Sequence, residues 1–197
     1  PRSCAEITRL AQVSKTCVNT GLTFQRAESE DTAAAQAAYR SIIEHLADTV
    51  DYPRWYSENH PAPELVAEWL SRGNLYLARD EATGRIAGVV ALDHNAPGGY
   101  EQARWGIEAT PDQALIVHAL GVTPDFQHRG VARFLVSEIV EMARARGCLA
   151  VRLDVYVGND PGHQLYRRCG FTDFGLHHLH YDTTDLSEFR LYEYVVG

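Results

Sequence analysis

The spacing of apolar residues in the first half of the chain predicts a strand, two helices and a hairpin. The strand covers residues 22–27, and Asp31 can cap the helix that follows it. That helix has one apolar face, formed by Tyr39, Ile42, Ile43 and Leu46. A second helix covers 64–70. Strands over 74–78 and 86–92 flank the turn-forming residues 80–84, so we expect them to pair as a hairpin.

The second half contains the most apolar segment, Ala114 to Val122, which predicts a buried strand that ends before Pro124. A long helix follows it and ends near Gly147, with one apolar face formed by Val131, Phe134, Leu135, Ile139 and Met142. A strand over 149–157, a short helix over 164–169 and strands over 171–176 and 189–196 complete the order. This order predicts a mixed α/β sheet with helices on both faces.

The length of 197 residues suits one domain with a single core. Residues 1–20 have no clear partner in the rest of the pattern, so we treat them as an N-terminal extension of unknown role. Residues 21–197 then form a single domain, because no linker divides them. The chain begins at Pro1 and its only methionine is Met142, which indicates a processed chain or a fragment.

Charge and cysteine content narrow the class of protein. The net charge of −8 argues against general nucleic-acid binding, which needs a basic surface. It is compatible with a cationic amine as substrate, and the alternative is an acidic surface that serves solubility alone. The four cysteines form no C-x-x-C pair, which indicates a reducing compartment rather than a disulfide framework. No apolar run is long enough to span a bilayer. We therefore expect a soluble cytoplasmic protein without nucleic-acid or membrane partners.

The segment from Val122 to Arg133 predicts a strand that runs through a turn into a helix. The start of a helix leaves backbone N–H groups unpaired and carries partial positive charge. Gly130 and the small Ala132 permit close approach to the backbone. The side chains that can add positive charge are His128, Arg129 and Arg133. These features predict a diphosphate-binding site, and the alternative is an ordinary strand–helix turn that contains a glycine.

Two short motifs resemble those of a known family. Gln127-x-x-Gly130-x-Ala132 resembles the Q/R-x-x-G-x-G/A signature of GNAT acetyltransferases. The second signature of that family, N-x-x-A-x-x-L-Y-x-x-x-G-F, resembles the segment that contains Asn159, Leu165-Tyr166 and Gly170-Phe171. This sequence departs from the family at two positions, since Ala132 replaces the commoner glycine and Gly162 replaces the usual alanine.

The resemblance implies the GNAT-like acyl-CoA N-acyltransferase fold, in which a twisted, mostly antiparallel sheet of six to seven strands carries helices on both faces. It also implies acetyl-CoA as cosubstrate, with coenzyme A as product. By resemblance, the pantetheine arm contacts Leu120, Gly121, Val122 and Asn159, with Gly162 in the same loop as Asn159. The diphosphate contacts the segment Gln127, His128, Arg129, Gly130, Val131, Ala132 and Arg133.

The chemistry of acetyl transfer requires a group that protonates the departing thiolate and a group that accepts the proton of the amine. Tyr166 is the expected general acid, because the resemblance puts its hydroxyl near the thioester sulfur. His118 is the expected base, on the same alternating face of its strand as Leu120 and Val122. Each residue has a structural alternative, a core tyrosine and a hydrogen-bonded core histidine. Other candidates for the base are Asp154, Tyr156 and a water chain.

Aromatic residues in the irregular segments are candidates for an acceptor pocket. Trp55, Tyr56, Tyr100 and Trp105 can hold a cationic or apolar amine, or instead fill the loops against the core. Asp93 and His94 are further candidates for the same cleft. The histidines in 177–180 lack a matching ligand cluster, so we expect no metal.

The sequence thus favours an N-acetyltransferase that moves the acetyl group of acetyl-CoA directly to the primary amine of a small molecule or peptide. No serine sits in a nucleophile elbow, which disfavours a covalent acyl-protein route. The alternative function is a non-catalytic sensor or partner protein that binds acyl-CoA. Similar proteins often dimerise, and a homodimer is compatible with this sequence.

Overall fold

The computed structural model describes residues 21–197, so the extension predicted over 1–20 lies outside the described residues. The described part contains seven strands and five α-helices. In chain order these are β1 (Leu22–Arg26), α1 (Thr32–Asp48), α2 (Trp55–Glu58), α3 (Pro63–Ser71), β2 (Leu75–Asp80), β3 (Ile86–Asp93), β4 (Ala114–Val122), α4 (Val131–Ala145), β5 (Ala150–Tyr156), α5 (Asp160–Arg168), β6 (Thr172–His178) and β7 (Glu188–Val195).

The seven strands form one sheet in the order β1-β2-β3-β4-β5-β7-β6. Neighbouring strands run antiparallel except β4 and β5, which are parallel. The predicted mostly antiparallel sheet is therefore confirmed, and its one parallel pair lies at the centre. The helix α4 connects β4 to β5, as a parallel pair requires.

Helices cover both faces of the sheet, as the sequence predicted. Alternating residues of β3 show this directly, because Val90 and Leu92 pack in the same core as α4, whereas Val89 and Ala91 pack with α1 and α3. We call these the α4 face and the α1 face. Burying one aliphatic side chain stabilises a fold by about 1.5–3 kcal/mol. In the described residues 21–197, none of the helices is long and apolar enough to cross a membrane.

One predicted helix cap and one predicted helix start differ from those observed. The helix α1 begins at Thr32, directly after Asp31, as predicted. The side chain of Asp31 does not cap α1; it accepts hydrogen bonds from the Glu28 N–H and from Arg79 instead. The helix α5 begins at Asp160 rather than near Gln164, because the Asn159 side chain accepts a hydrogen bond from the Gly162 N–H at 3.1 Å. An asparagine cap of this kind satisfies one of the free N–H groups of the first turn. The short helix α2 also lies in a stretch that the sequence pattern left irregular.

Candidate active site

A cleft opens where β4 and β5 separate. The two strands pair only from Ala114 to Ile116 and from Ala150 to Arg152. Beyond these residues β5 stays paired with β7 as far as Tyr156, while β4 stays beside β3. Both separated edges line a cleft of about 810 Å3. The sheet therefore leaves backbone groups of two strand edges facing one open space.

A β-bulge shapes the β4 edge of this cleft. His118 lies opposite Ala91 and Gly121 opposite Val89, so two residues of β4 face one residue of β3. The bulged residue Ala119 has a φ of +48°, which is uncommon for a residue with a side chain. The Tyr39 hydroxyl of α1 donates a hydrogen bond of 2.8 Å to the Ala119 carbonyl and holds the bulge.

The bulge corrects one prediction about His118. Leu120 and Val122 pack on the α4 face, whereas the missing side chain of Gly121 would meet Ile42 on the α1 face. His118 does not share the face of Leu120 and Val122, because the extra residue inverts the alternation between them. Its Nε2–H instead donates a hydrogen bond of 2.9 Å to the Asp93 carboxylate, at the end of β3.

The turn before α4 presents a run of free backbone donors. Among the described residues, no hydrogen bond uses the N–H groups of residues 128–133. Gly130 has a φ of +80°, and a side chain there would meet nothing within 4 Å. The glycine is thus required by the backbone conformation and not by crowding within the protein. The Arg129 guanidinium lies 5.2 Å from the centre of the Phe126 ring, which keeps its positive charge at the turn.

Tyr166 reaches the cleft from α5 on the α4 face. Its ring packs against Phe171 and Tyr192, with centroids 5.4 and 6.0 Å away. The side chain is 8% exposed and lines the cleft, and its hydroxyl makes no hydrogen bond with any described residue. Burial, and to a lesser extent the charges of Cys169 and Asp154, raises the pKa of Tyr166. The hydroxyl is therefore protonated at neutral pH and able to donate.

His118 and Asp93 form a hydrogen-bonded pair at the cleft on the α1 face. Burial raises the pKa of Asp93, but the hydrogen bond and charge of His118 and the bonds from Asn95 outweigh it, so the pKa lies below its usual value. Asp93 is therefore ionised at neutral pH. Since Nε2 is bonded to Asp93, the Nδ1 atom of His118 is the ring nitrogen that stays available.

Asp154 lies on β5 and also lines the cleft. One of its oxygens, Oδ1, accepts hydrogen bonds from the hydroxyls of Tyr100 and Tyr181, at 2.7 and 2.6 Å. Burial raises the pKa of Asp154, and these two hydrogen bonds partly oppose the rise. The other oxygen, Oδ2, accepts no hydrogen bond from another described residue.

The predicted site residues divide by position. Those that line the cleft are Trp55, His118, Leu120, Gly121, Val122, Gln127, Asn159 and Tyr166. The residues that follow Gln127 directly, outside the cleft lining, are His128, Arg129, Gly130, Val131, Ala132 and Arg133. Gly162 does not line the cleft, because it packs under Asn159, where a side chain would approach the Asn159 amide nitrogen to 2.8 Å.

Three of the four aromatic residues predicted to line the acceptor pocket lie outside the cleft lining. Tyr56, on α2, is exposed. Tyr100 is 4% exposed and packs in the core, where its hydroxyl bonds Asp154. Trp105 stacks over the Arg152 guanidinium at 4.4 Å, and its indole N–H donates to the Tyr100 carbonyl. Neither lines the cleft, so Tyr100 acts at most through Asp154 and Trp105 has no direct access.

Several cleft residues gave no signal in the sequence. His60 and Trp69 line the cleft from the segment around α3, and Tyr181 lines it from the β6–β7 loop. The Thr184 hydroxyl of that loop donates a hydrogen bond of 2.7 Å to Glu58 of α2, which links the two sides of the cleft mouth. Only the clustering of aromatic residues around Pro61 could have suggested part of this set.

Proteins similar to this chain in sequence or in fold include acetyltransferases. An uncharacterised N-acetyltransferase of Methanocaldococcus jannaschii is 27% identical over 143 residues, which are 69% of this chain and 52% of that protein. N-alpha-acetyltransferase RimI of Mycobacterium tuberculosis is 39% identical over 72 residues, 36% of this chain and 44% of that protein. The chain thus spans about half the length of these curated relatives.

A solved structure and a family model extend this similarity over most of the chain. The structure of Salmonella typhimurium yncA with its cofactor acetyl-CoA has the same fold, with a TM-score of 0.62 and 14% identity over 89% of this chain and 94% of that one. The model of the acetyltransferase (GNAT) family matches residues 27–171, and the chain therefore belongs to that family.

Proposed function

We propose that the protein transfers the acetyl group of acetyl-CoA directly to a primary amine. The observation that carries this proposal is the cleft between β4 and β5. Near one end it has the free N–H groups at the start of α4, and the Tyr166 hydroxyl on its wall makes no hydrogen bond with a described residue. The relative RimI is an N-alpha-acetyltransferase, and the yncA structure contains acetyl-CoA, which supports the same reaction class here.

The residues around the cleft fit the polar groups of acetyl-CoA. The N–H groups of residues 128–133 and the charge of Arg129 suit a diphosphate, because helix starts bind anions. The unpaired edge of β4 at Leu120, Gly121 and Val122 suits the amides of the pantetheine arm, with Asn159 across the cleft. The bound cosubstrate supplies an activated acetyl thioester.

On the amine side, His118 acts as the proton acceptor. An alkyl ammonium has a pKa of about 10 and must lose a proton before its nitrogen can attack. Asp93 accepts the Nε2–H of His118, which leaves the lone pair of Nδ1 to take that proton. Asp154 is the second candidate, because it lies on the neighbouring strand and its Oδ2 accepts no hydrogen bond from another described residue.

On the thiol side, Tyr166 donates its hydroxyl proton to sulfur. The neutral amine nitrogen forms a bond to the acyl carbon, the carbon–sulfur bond breaks, and the sulfur takes the proton from Tyr166. The nitrogen loses one further proton as it becomes an amide, and this proton passes through water to the Tyr166 oxygen and restores the acid. His118 releases the proton of the original ammonium group to solvent. Backbone N–H groups at the unpaired edge of β4 stabilise the negative charge that develops on the acyl oxygen. The base and the acid thus act from opposite faces of the sheet.

Direct transfer requires no nucleophilic side chain. Among residues 21–197 the cysteines are Cys148 and Cys169, and neither lines the cleft. Burial raises the pKa of both thiols, which keeps them in the unreactive protonated form.

The decisive experiment follows thiol release from acetyl-CoA in the presence of a panel of primary amines, beside calorimetric titration with coenzyme A. Amine-dependent thiol release supports the transfer reaction. Tight coenzyme A binding without thiol release from any amine supports the alternative, a non-catalytic acyl-CoA binder. Absence of coenzyme A binding at millimolar concentration contradicts both.

A further inference from the structure

Four aromatic rings form a closed cycle on the α1 face, beside the bulge. Tyr39 contacts Trp55 and Trp69, with ring centroids 6.1 and 6.3 Å away. His60 contacts the same two tryptophans at 6.3 and 6.4 Å, in edge-to-face geometry. Each ring therefore touches two others, and the four side chains brace one another. Tyr39 lies at the back, where its hydroxyl holds the Ala119 carbonyl.

The front of this cycle forms one end of the cleft. We call it the indole pocket, formed by Ile42, Leu46, Trp55, His60, Leu65 and Trp69, all of which line the cleft. The pocket adjoins the bulge directly, because a side chain at Gly121 would approach the Trp55 ring to 3.1 Å. It lies on the α1 face, from which His118 also reaches the cleft. A molecule in the indole pocket would thus lie beside the proposed base.

The chemistry of the indole pocket is apolar, with one exception. Among its six residues none carries a formal charge. The charged residues that line the cleft nearby are Arg54 and Arg72, which are exposed, and Glu58, whose Oε2 accepts a hydrogen bond from the Thr184 hydroxyl. A second cationic group of a substrate would find no carboxylate within this pocket, and burying it there would be costly. The pocket therefore favours an apolar body over a polyamine chain.

His60 is the exception, since neither of its ring nitrogens is bonded to a described residue. Buried polar side chains are normally paired, so an unpaired imidazole at a cleft is available to a ligand. Burial, followed by the charge of His118, lowers the pKa of His60 to about 4, and Glu58 partly opposes this. The imidazole is therefore neutral at physiological pH and does not repel an ammonium group.

We propose that the indole pocket binds the apolar body of the acceptor amine, and that His60 hydrogen-bonds the acceptor and fixes its nitrogen in front of His118. The acceptor class is a primary amine with an aromatic or branched aliphatic body. This inference rests on the proposed acetyl transfer and narrows its substrate.

The first test compares 2-phenylethylamine with 1,4-diaminobutane and with a peptide that begins with alanine. We expect kcat/KM to be about 30-fold higher for 2-phenylethylamine, as burial of one aromatic ring provides. The amine should also change the intrinsic fluorescence, because Trp55 and Trp69 are two of the three tryptophans. Trp105→Phe removes the third and serves as the background, provided that its melting temperature stays close to that of the wild type.

The second test replaces His60. His60→Phe keeps a ring between the two tryptophans but removes both nitrogens, and should raise the KM for the amine about tenfold with no change in the KM for acetyl-CoA. His60→Gln restores a hydrogen-bonding group and should recover part of the affinity. An unchanged amine KM in both variants overturns the role of His60.

These outcomes separate the inference from the function on which it rests. Preference for 1,4-diaminobutane or the peptide, with normal thiol release, rejects the apolar acceptor and retains acetyl transfer. A saturable fluorescence change with 2-phenylethylamine, without thiol release from any amine, retains the pocket and rejects the transfer. Absence of any fluorescence change with 2-phenylethylamine rejects the pocket.

Discussion

The cleft is lined in different ways on the α4 face and on the α1 face of the sheet. On the α4 face, the proposed cosubstrate site consists mainly of backbone groups from one continuous segment, residues 120–133, with α5 beside it. On the α1 face, the proposed acceptor site consists of side chains from α1, α2, α3, the end of β3 and the β6–β7 loop. A backbone site depends on a local fold that a short motif can specify. A side-chain site depends on tertiary packing, which leaves no local pattern.

The largest effect that would test this contrast concerns the acid on the α4 face. Tyr166→Phe should lower kcat about 100- to 10,000-fold, because the departing thiolate loses its proton donor. The affinity for coenzyme A, measured by calorimetry, should not change. Tyr194→Phe is the matched control, since Tyr194 packs on the same Phe171 ring but does not line the cleft. Equal turnover of the two variants would remove Tyr166 from the acid role.

The next effect concerns His60 on the α1 face and the pH dependence of the free energy of unfolding. The pKa of His60 falls from 6.5 to about 4 in the folded protein, so the unfolded chain binds more protons between these values. The free energy of unfolding should therefore fall as the pH drops from about 6.5 to about 4, by up to about 3 kcal/mol. His60→Phe should reduce this slope in urea titrations across that range. An identical slope in wild type and variant would show that folding does not lower the pKa of His60.

A smaller effect tests the backbone site at the start of α4. Gly130→Ala puts a side chain at a φ of +80°, and should weaken coenzyme A binding about tenfold because the strained turn moves its N–H groups. Gly147→Ala is the matched control at the other end of α4, with a φ of +74° and equally open surroundings. Both variants should lose similar stability, but only Gly130→Ala should lose affinity. Equal affinities would place the diphosphate elsewhere.

The smallest effect tests the link between the two faces. Tyr39→Phe removes the hydrogen bond to the Ala119 carbonyl, and should cost about 1 kcal/mol of stability and lower kcat about fivefold as the bulge loosens. Tyr76→Phe is the control, because its hydroxyl accepts a hydrogen bond of 2.6 Å from Arg146 on the α4 face, away from the cleft. It should lose similar stability without loss of kcat. A normal kcat in Tyr39→Phe would separate the bulge from catalysis.

The sequence predicted most of the fold because most elements bury one regular face. The spacing of five apolar residues predicted α4. Val131, Leu135 and Ile139 are buried, and Phe134 and Met142 are partly buried against the same core. The bulge was not predictable, since the positive φ of Ala119 depends on a hydroxyl 80 residues away. That single residue also placed His118 on the opposite face from the one predicted.

On the acceptor side, the positions of individual side chains were also not predictable from the local sequence. Trp55 was expected in the cleft and lines it, whereas Tyr56, Tyr100 and Trp105 were expected there and do not. All four are aromatic residues outside the regular strands, and nothing local distinguishes them. Their positions depend on distant partners, such as Arg152 beneath Trp105 and Asp154 beside Tyr100.

The short pairing of β4 with β5 has a consequence for the cohesion of the whole domain. Only three residue pairs join a four-stranded sheet, β1 to β4, to a three-stranded one, β5 to β7. A ligand that forms hydrogen bonds with the free edges of both β4 and β5 would extend the connection between the two parts of the sheet. Free ligand at 100 times its dissociation constant adds about 2.7 kcal/mol to the free energy of unfolding. We expect this stabilisation to oppose separation of the two parts of the sheet at the junction of β4 and β5.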